Sequence, residues 1–180
     1  MAASPFYDVD ALEQIAVNLF YGWGYNFYRL ENQLRADDLL VREKACWLLG
    51  LSRGMVETEQ SAYRRTHLPP PSRAKPLPDL DAVASARALE ALSADIGQLE
   101  GTIRTLPVPE NDRVTQLYRQ EAETLHTLGG YDRRLVGAAD VLRQTLEGRD
   151  HAWILGNLGA VREGIALMTS LVRERQSLLK

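Results

Sequence analysis

At 180 residues the chain is long enough to bury about 70% of the surface it exposes when unfolded, so one domain with one core is expected. Its hydrophobic share of 45% and charged share of 25% are ordinary for a globular protein in water. A net charge of −3 argues against nucleic acid as the partner, no run of about 18 apolar residues is present to span a membrane, and a single cysteine excludes an internal disulfide.

The N-terminus carries Asp8 and Asp10 early and lacks a basic stretch followed by an apolar run, so no signal peptide and a cytoplasmic location are expected. Eight of the thirteen aromatic residues fall within the first 28 positions: Phe6, Tyr7, Phe20, Tyr21, Trp23, Tyr25, Phe27 and Tyr28. Aromatic side chains carry the largest apolar area per residue and are enriched at interface hot spots. A segment so loaded either plugs the end of a helical bundle or docks onto another molecule.

Asp10 fits an N-cap, with Glu13 three residues on, and Leu12, Ile15 and Leu19 share one face of a first helical segment over 10–35. Gly22-Trp23-Gly24 is expected to weaken or kink it, since each glycine costs about 1 kcal/mol against alanine. Ala36-Asp37-Asp38 reads as a joint before a second helix over 38–66, where Val41, Leu48, Met55 and Ala62 repeat every seven residues with Ala45 and Leu51 beside them.

Residues 68–78 hold five of the eight prolines and read as an extended connector, because proline fixes φ and lacks a backbone donor. The third helix, 80–106, carries Ser85, Leu89, Leu92, Ile96, Leu99, Ile103 and Leu106 in alternating steps of four and three, the seam of an antiparallel bundle. Ala94, Gly97 and Gly101 beside it form a strip that invites a neighbouring backbone. A fourth element over 112–147 is expected to break or bend at Gly129-Gly130. Gly148 suits the end of that helix and Asp150 the N-cap of a last helix over 150–179. That helix repeats at Ile154, Leu158, Val161, Ile165, Met168, Val172 and Leu179. Arg175 stands in its seam, and Gly156, Ala160 and Gly164 form a second close-packing strip. No segment shows period-two alternation. The pattern predicts an all-α fold: an elongated up-and-down bundle of about five to six helices, with a Pro-rich connector at 68–78.

Chemistry is sparse. Glu123-Thr-Leu-His126 is the i, i+3 pair that supplies half of a carboxylate-bridged di-metal site, but no second copy accompanies it. Glu31 and Glu43 are the other carboxylates such a site would draw on. A haem held by His126 and His151 lacks any supporting motif. Cys46, between Ala45 and Trp47, reads as a small buried hydrophobe. The glycine pairs lack the strand and the spacing of a phosphate loop. Tyr131-Asp132-Arg133-Arg134 is the one compact polar group a catalytic site would use.

Two candidate surfaces remain. Arg64, Arg65, His67, Arg73 and Lys75 form a basic cluster suited to an anion or acidic partner, or simply to the dipole at a helix C-terminus. Phe20, Tyr21, Trp23, Tyr25, Phe27 and Tyr28 form the aromatic segment, apolar on all sides. The expectation is a non-enzymatic protein acting through protein–protein contacts, as an assembly factor, scaffold or small subunit, self-associating through that segment and needing no cofactor. The alternative is a ligand- or metal-binding bundle with an aromatic-lined pocket, tested first at Glu123 and His126.

Overall fold

The computed structural model describes residues 6, 8–22, 33–73, 76–106 and 120–178, without the side chains of 20–21, 33–38 and 120–126. The described residues form an all-α bundle of six helices: α1 (Val9–Gly22), α2 (Gln33–His67), α3 (Leu80–Arg104), α4 (Gln120–Leu146), α5 (His151–Gly156) and α6 (Leu158–Ser177). Lys75 and residues 23–32, with Trp23, Tyr25, Phe27, Tyr28 and Glu31, lie outside the described residues, as do the side chains of Phe20, Tyr21, Glu123 and His126.

α2 packs against α3 and α4, and α6 closes the ring by packing against the same two helices. The a/d positions of α3 meet the core as their spacing predicts: Leu89, Leu92, Ile96, Leu99 and Ile103 are all buried. α4 is the central element. Residues 135–142 are buried without interruption, because α1, α2 and α6 cover it on three sides. A helix surrounded in this way carries mostly apolar or small residues, and Leu135, Val136, Gly137, Ala138, Ala139, Val141 and Leu142 supply them, while the buried Asp140 is held by Arg143 and Gln144.

α1 reaches α4 by main-chain approach. A Cβ at Gly137 would stand 2.7 Å from the Leu12 carbonyl carbon and 2.9 Å from its Cα, so only glycine admits this crossing. Glu13 lies beside Arg133, one turn earlier on α4, so α1 runs antiparallel to it. Ahead of α1, buried Phe6 lays its ring over Gly164 of α6, where a Cβ would come within 2.8 Å of Cε1 and Cε2. The Gly156-Ala160-Gly164 strip therefore serves close packing at Gly164, where the visitor is an aromatic ring; at Gly156 the space is open.

Several boundaries differ from those the sequence predicts. The first cap is Asp8, whose Oδ1 accepts from the Ala11 amide at 3.0 Å, two residues before Asp10. No joint forms at 36–38. α2 runs unbroken through Ala36-Asp37-Asp38, which contain neither glycine nor proline, and its 35 residues make a rod about 52 Å long. α4 likewise continues through Gly129-Gly130, since a glycine pair costs propensity without removing a hydrogen bond and Gly129 is buried in the packed bundle. The last helix is instead interrupted at Asn157, whose side-chain amide donates to the Trp153 carbonyl at 2.8 Å in competition with the helical ladder. Gly97 meets the side chain of Arg53, at 3.3 Å from a built Cβ, and Gly101 meets nothing, so among the described residues no backbone enters the Ala94-Gly97-Gly101 strip. The Gly148 end and the Asp150 cap stand where expected: Gly148 has φ +68°, and Asp150 Oδ1 accepts from the Trp153 amide at 2.9 Å. Residues 68–73 and 76–79 are outside helices.

The two kinds of glycine separate experimentally. Gly137→Ala is expected to cost about 1–3 kcal/mol or more, because the clash is with backbone that cannot rotate away. Gly101→Ala, in open space within a helix, is expected to stabilise by roughly 0.5–1 kcal/mol. Urea unfolding of the two variants measures both signs.

Candidate functional site

Three places in the bundle concentrate side chains whose chemistry exceeds packing. The first is the outward face of α2. Leu39, Glu43, Trp47, Gly50, Leu51 and Gly54 fall within roughly 120° of the helix circumference at 100° per residue. Leu39 is 55% exposed, Trp47 51% and Leu51 39%. The heptad reading placed Leu51 beside the core seam; the buried line on α2 instead runs through Val41, Ala45, Leu48, Leu49, Ser52, Val56 and Tyr63. A Cβ added at Gly50 or Gly54 would meet nothing within 4 Å, so the helix backbone is approachable there. With Glu100 and Arg104 of α3, the face borders an open groove of about 630 Å³ that also touches Arg42 and Cys46.

The groove is charged along its rim and apolar along its floor. Arg104 pairs with Glu100 at 2.6 Å, and the Lys44 ammonium lies 5.8 Å from the Trp47 ring. Cys46 is buried, as its apolar neighbours suggested, and its Sγ–H points at the Glu100 carbonyl at 3.6 Å. Burial pushes its thiol up from the ordinary value despite Arg104, the opposite of what a nucleophilic cysteine requires.

The second place is a charged layer inside the bundle, at the end where α2 and α4 begin and α6 finishes. Arg175 of α6 is 1% exposed and donates from Nε to Asp132 Oδ1 of α4 at 2.7 Å; Asp132 is itself 3% exposed. Arg42 of α2, also buried, donates to the Leu106 carbonyl just past the end of α3, and Arg133 faces Glu13 of α1 at 3.5 Å. Burial pushes the Asp132 carboxyl up to about 7 against the pull of Arg42 and Arg133, and the short Arg175 bond works on the same side as those two cations. Desolvation likewise lowers Arg42 below its ordinary value, with Asp132 opposing. The polar group Tyr131-Asp132-Arg133-Arg134 thus turns part of its charge inward, and Arg134 stacks over the Tyr131 ring at 4.4 Å. Asp132 has too little exposed surface to meet a substrate and works as a tie between helices.

The third place is at the opposite end of the bundle. Tyr63 is buried and stacks flat on His67, with centroids 4.2 Å apart and planes 11° from parallel. His151, the first residue of α5, stands edge-on to both, 5.3 Å from Tyr63 and 5.7 Å from His67. Glu59 Oε2 accepts from the His151 backbone N–H at 2.9 Å and lies 3.3 Å from its Nδ1. No three-residue or four-residue spacing relates positions 67 and 151; the packing of α5 on α2 brings them together.

Of the basic cluster, Arg64, Arg65 and His67 stand in the last turn of α2. Arg64 pairs with Glu90 of α3 at 2.8 Å, and both partners are more than half exposed. Arg65 and Arg73 are exposed, and His67 belongs to the aromatic group just described. Glu43 lies on the exposed face of α2. Among the described residues no group of three or more His, Cys, Asp and Glu side chains is arranged to hold a metal ion, and no helix is long and apolar enough to cross a membrane. Comparison with protein-family models, curated proteins and solved structures finds no match to this chain.

Removing Asp132 leaves a buried guanidinium without its carboxylate, which typically costs about 3–5 kcal/mol, whereas replacing a buried pair by apolar groups is often neutral or stabilising. Asp132→Ala is therefore expected to be strongly destabilising, and the double variant Asp132→Leu/Arg175→Met much less so; chemical denaturation gives both values. At Cys46, alkylation of the folded protein at pH 8 is expected to be slow and to accelerate on unfolding in urea, as followed by mass spectrometry.

Proposed function

We propose that the protein works through protein–protein contacts, as an assembly factor or scaffold, and that its outward α2 face docks a second copy of the chain. The observation that carries this reading is the line Leu39, Trp47 and Leu51, exposed on one side of a long helix beside two uncovered glycines. Solvent-facing tryptophan and leucine in contiguous positions lose free energy in water, and tryptophan is the residue most enriched among interface hot spots. Gly50 and Gly54 let a partner helix come close to the α2 backbone without side-chain collision.

The rim favours self-recognition. Arg104 stands with Glu43 and Glu100 around the same floor, so the face carries both signs of charge. A two-fold axis through such a face sets the acidic groups of one copy against the basic groups of the other. A distinct acidic or basic partner would instead call for one sign in excess. The aromatic segment 20–28 belongs to the same proposal as a second surface, with Phe20, Tyr21, Trp23, Tyr25, Phe27 and Tyr28 as its anchors.

Sedimentation equilibrium tests the two surfaces separately. Trp47→Ala/Leu51→Ala is expected to weaken dimerisation by at least about 30-fold, the equivalent of a hot-spot loss of 2 kcal/mol. Because both side chains are exposed, the helical circular dichroism should be unchanged. If that variant stays dimeric while Trp23→Ala/Phe27→Ala dissociates, the interface belongs to the aromatic segment. A wild-type chain that remains monomeric at every concentration overturns self-association altogether.

A further inference from the structure

We infer that His67 and His151 form a site for a divalent transition-metal ion with open coordination positions, zinc or copper in character, at the end of the bundle remote from the Asp132–Arg175 pair. The inference stands apart from the self-association reading and uses none of its residues.

The argument starts from the tautomers. His67 Nδ1 lies 3.2 Å from the Tyr63 carbonyl oxygen, which can only accept, so that nitrogen carries the proton. His151 Nδ1 lies 3.3 Å from the Glu59 carboxylate, which when ionised also only accepts, so it too carries the proton. In the neutral state each imidazole therefore has its lone pair on Nε2, and neither Nε2 has a hydrogen-bond partner among the described residues. Metal-binding histidines are commonly prepared in this way: the remote ring nitrogen donates to a carboxylate or a backbone carbonyl, which fixes the tautomer and raises the basicity of the ligating nitrogen. One ring here has the carbonyl version and the other the carboxylate version.

The spacing agrees. With Zn–N bonds of about 2.1 Å each imidazole centroid sits roughly 3.2 Å from the metal, so a tetrahedral angle separates the two centroids by roughly 5.3 Å. The centroids of His67 and His151 are 5.7 Å apart, with planes at 74°. Tyr63, buried beneath, holds the His67 ring flat against it, and Glu59 holds the first residue of α5 by its backbone N–H as well as its ring. The position of both rings is therefore set before any ion arrives. His67 is exposed and the His151 side chain is 26% exposed, so solvent reaches both rings and can fill the remaining coordination positions. Two imidazoles select borderline ions such as Zn²⁺, Cu²⁺ and Ni²⁺ over Mg²⁺ and Ca²⁺, which prefer oxygen.

Calorimetric titration of zinc into the full chain, freed of metal beforehand, is expected to show one ion per chain. His67→Asn and His151→Asn should each weaken binding at least tenfold, and Glu59→Gln, which still accepts from the backbone N–H, by roughly tenfold through the orientation of His151. His126→Asn should leave affinity unchanged. Electron paramagnetic resonance of the copper(II) complex of the unaltered chain should show coupling to two imidazole nitrogens, a readout that does not depend on any variant folding. Wild-type affinity in the double variant His67→Asn/His151→Asn, a copper spectrum without two nitrogen ligands, or no zinc uptake at millimolar concentration would overturn the assignment.

Discussion

The Asp132–Arg175 pair is the interaction around which the bundle is organised. Two charges with 3% and 1% exposure carry a large desolvation cost, and only a direct hydrogen-bonded contact offsets it. That contact has one geometry: α4 and α6 must stand in the register that brings Nε to 2.7 Å from Oδ1. Arg42 adds α2 to the same layer and ties it to the last residues after α3 through the Leu106 carbonyl, while Arg133 and Glu13 add α1. Hydrophobic packing alone tolerates sliding of one helix along another, because leucine and isoleucine at successive turns are nearly interchangeable. A buried charged layer does not. In this protein it supplies register at one end of a long bundle, where α3 and α6 finish and α2 and α4 begin.

Near that layer the packing tightens until only glycine fits. α4 is covered on three sides, and α1 approaches it at Gly137 closely enough that the Leu12 main chain occupies the place of a side chain. The approach brings Glu13 within reach of Arg133, so the close crossing and the ion pair depend on one another. Phe6 over Gly164 repeats the device on α6, a large ring filling the room that a missing Cβ leaves. The N-terminal segment is thus held at two points on two helices, each time by a glycine that has no neighbouring glycine in sequence.

This explains what was and was not legible in the sequence. The all-α class and the α3 seam through Leu89, Leu92, Ile96, Leu99 and Ile103 follow from periodicity, because a helix buried along one stripe writes its period directly into the chain. Gly148 and Asp150 were legible for the same local reason: φ > 0 and an amide to cap are decided within four residues. Gly129-Gly130 misled because propensity is a weak local term that tertiary burial overrides, whereas Gly137 carried no signal, since its partner is 125 residues away along the chain. Arg175 stands in an apolar seam and Asp132 in a polar group of the sequence; what joins them is the α4–α6 register, which no spacing rule contains. Leu51 reads inward from its three-residue step after Leu48, but at 100° per residue it lies about 80° to one side of Val41, while the buried Leu49, Ser52, Val56 and Tyr63 all lie to the other.

Exposure divides the chemistry of the bundle along α2. At its N-terminal end the Asp132–Arg175 pair is sealed from water, so neither proton nor ligand reaches it without opening the fold, and it holds helices in place. Along its middle the outward face is apolar with approachable backbone, which suits another macromolecule and offers little to a small polar ligand. At its C-terminal end the ordering reverses. The polar atoms there are organised on the buried side, by Tyr63 and Glu59, and left open on the other, so the free energy of orienting two imidazoles is already met by the fold. A surface group with an ordered inner shell and an unfilled outer one is a poor structural tie, since nothing outside it is held. It is a suitable receptor, because whatever binds meets rings that need not be immobilised first.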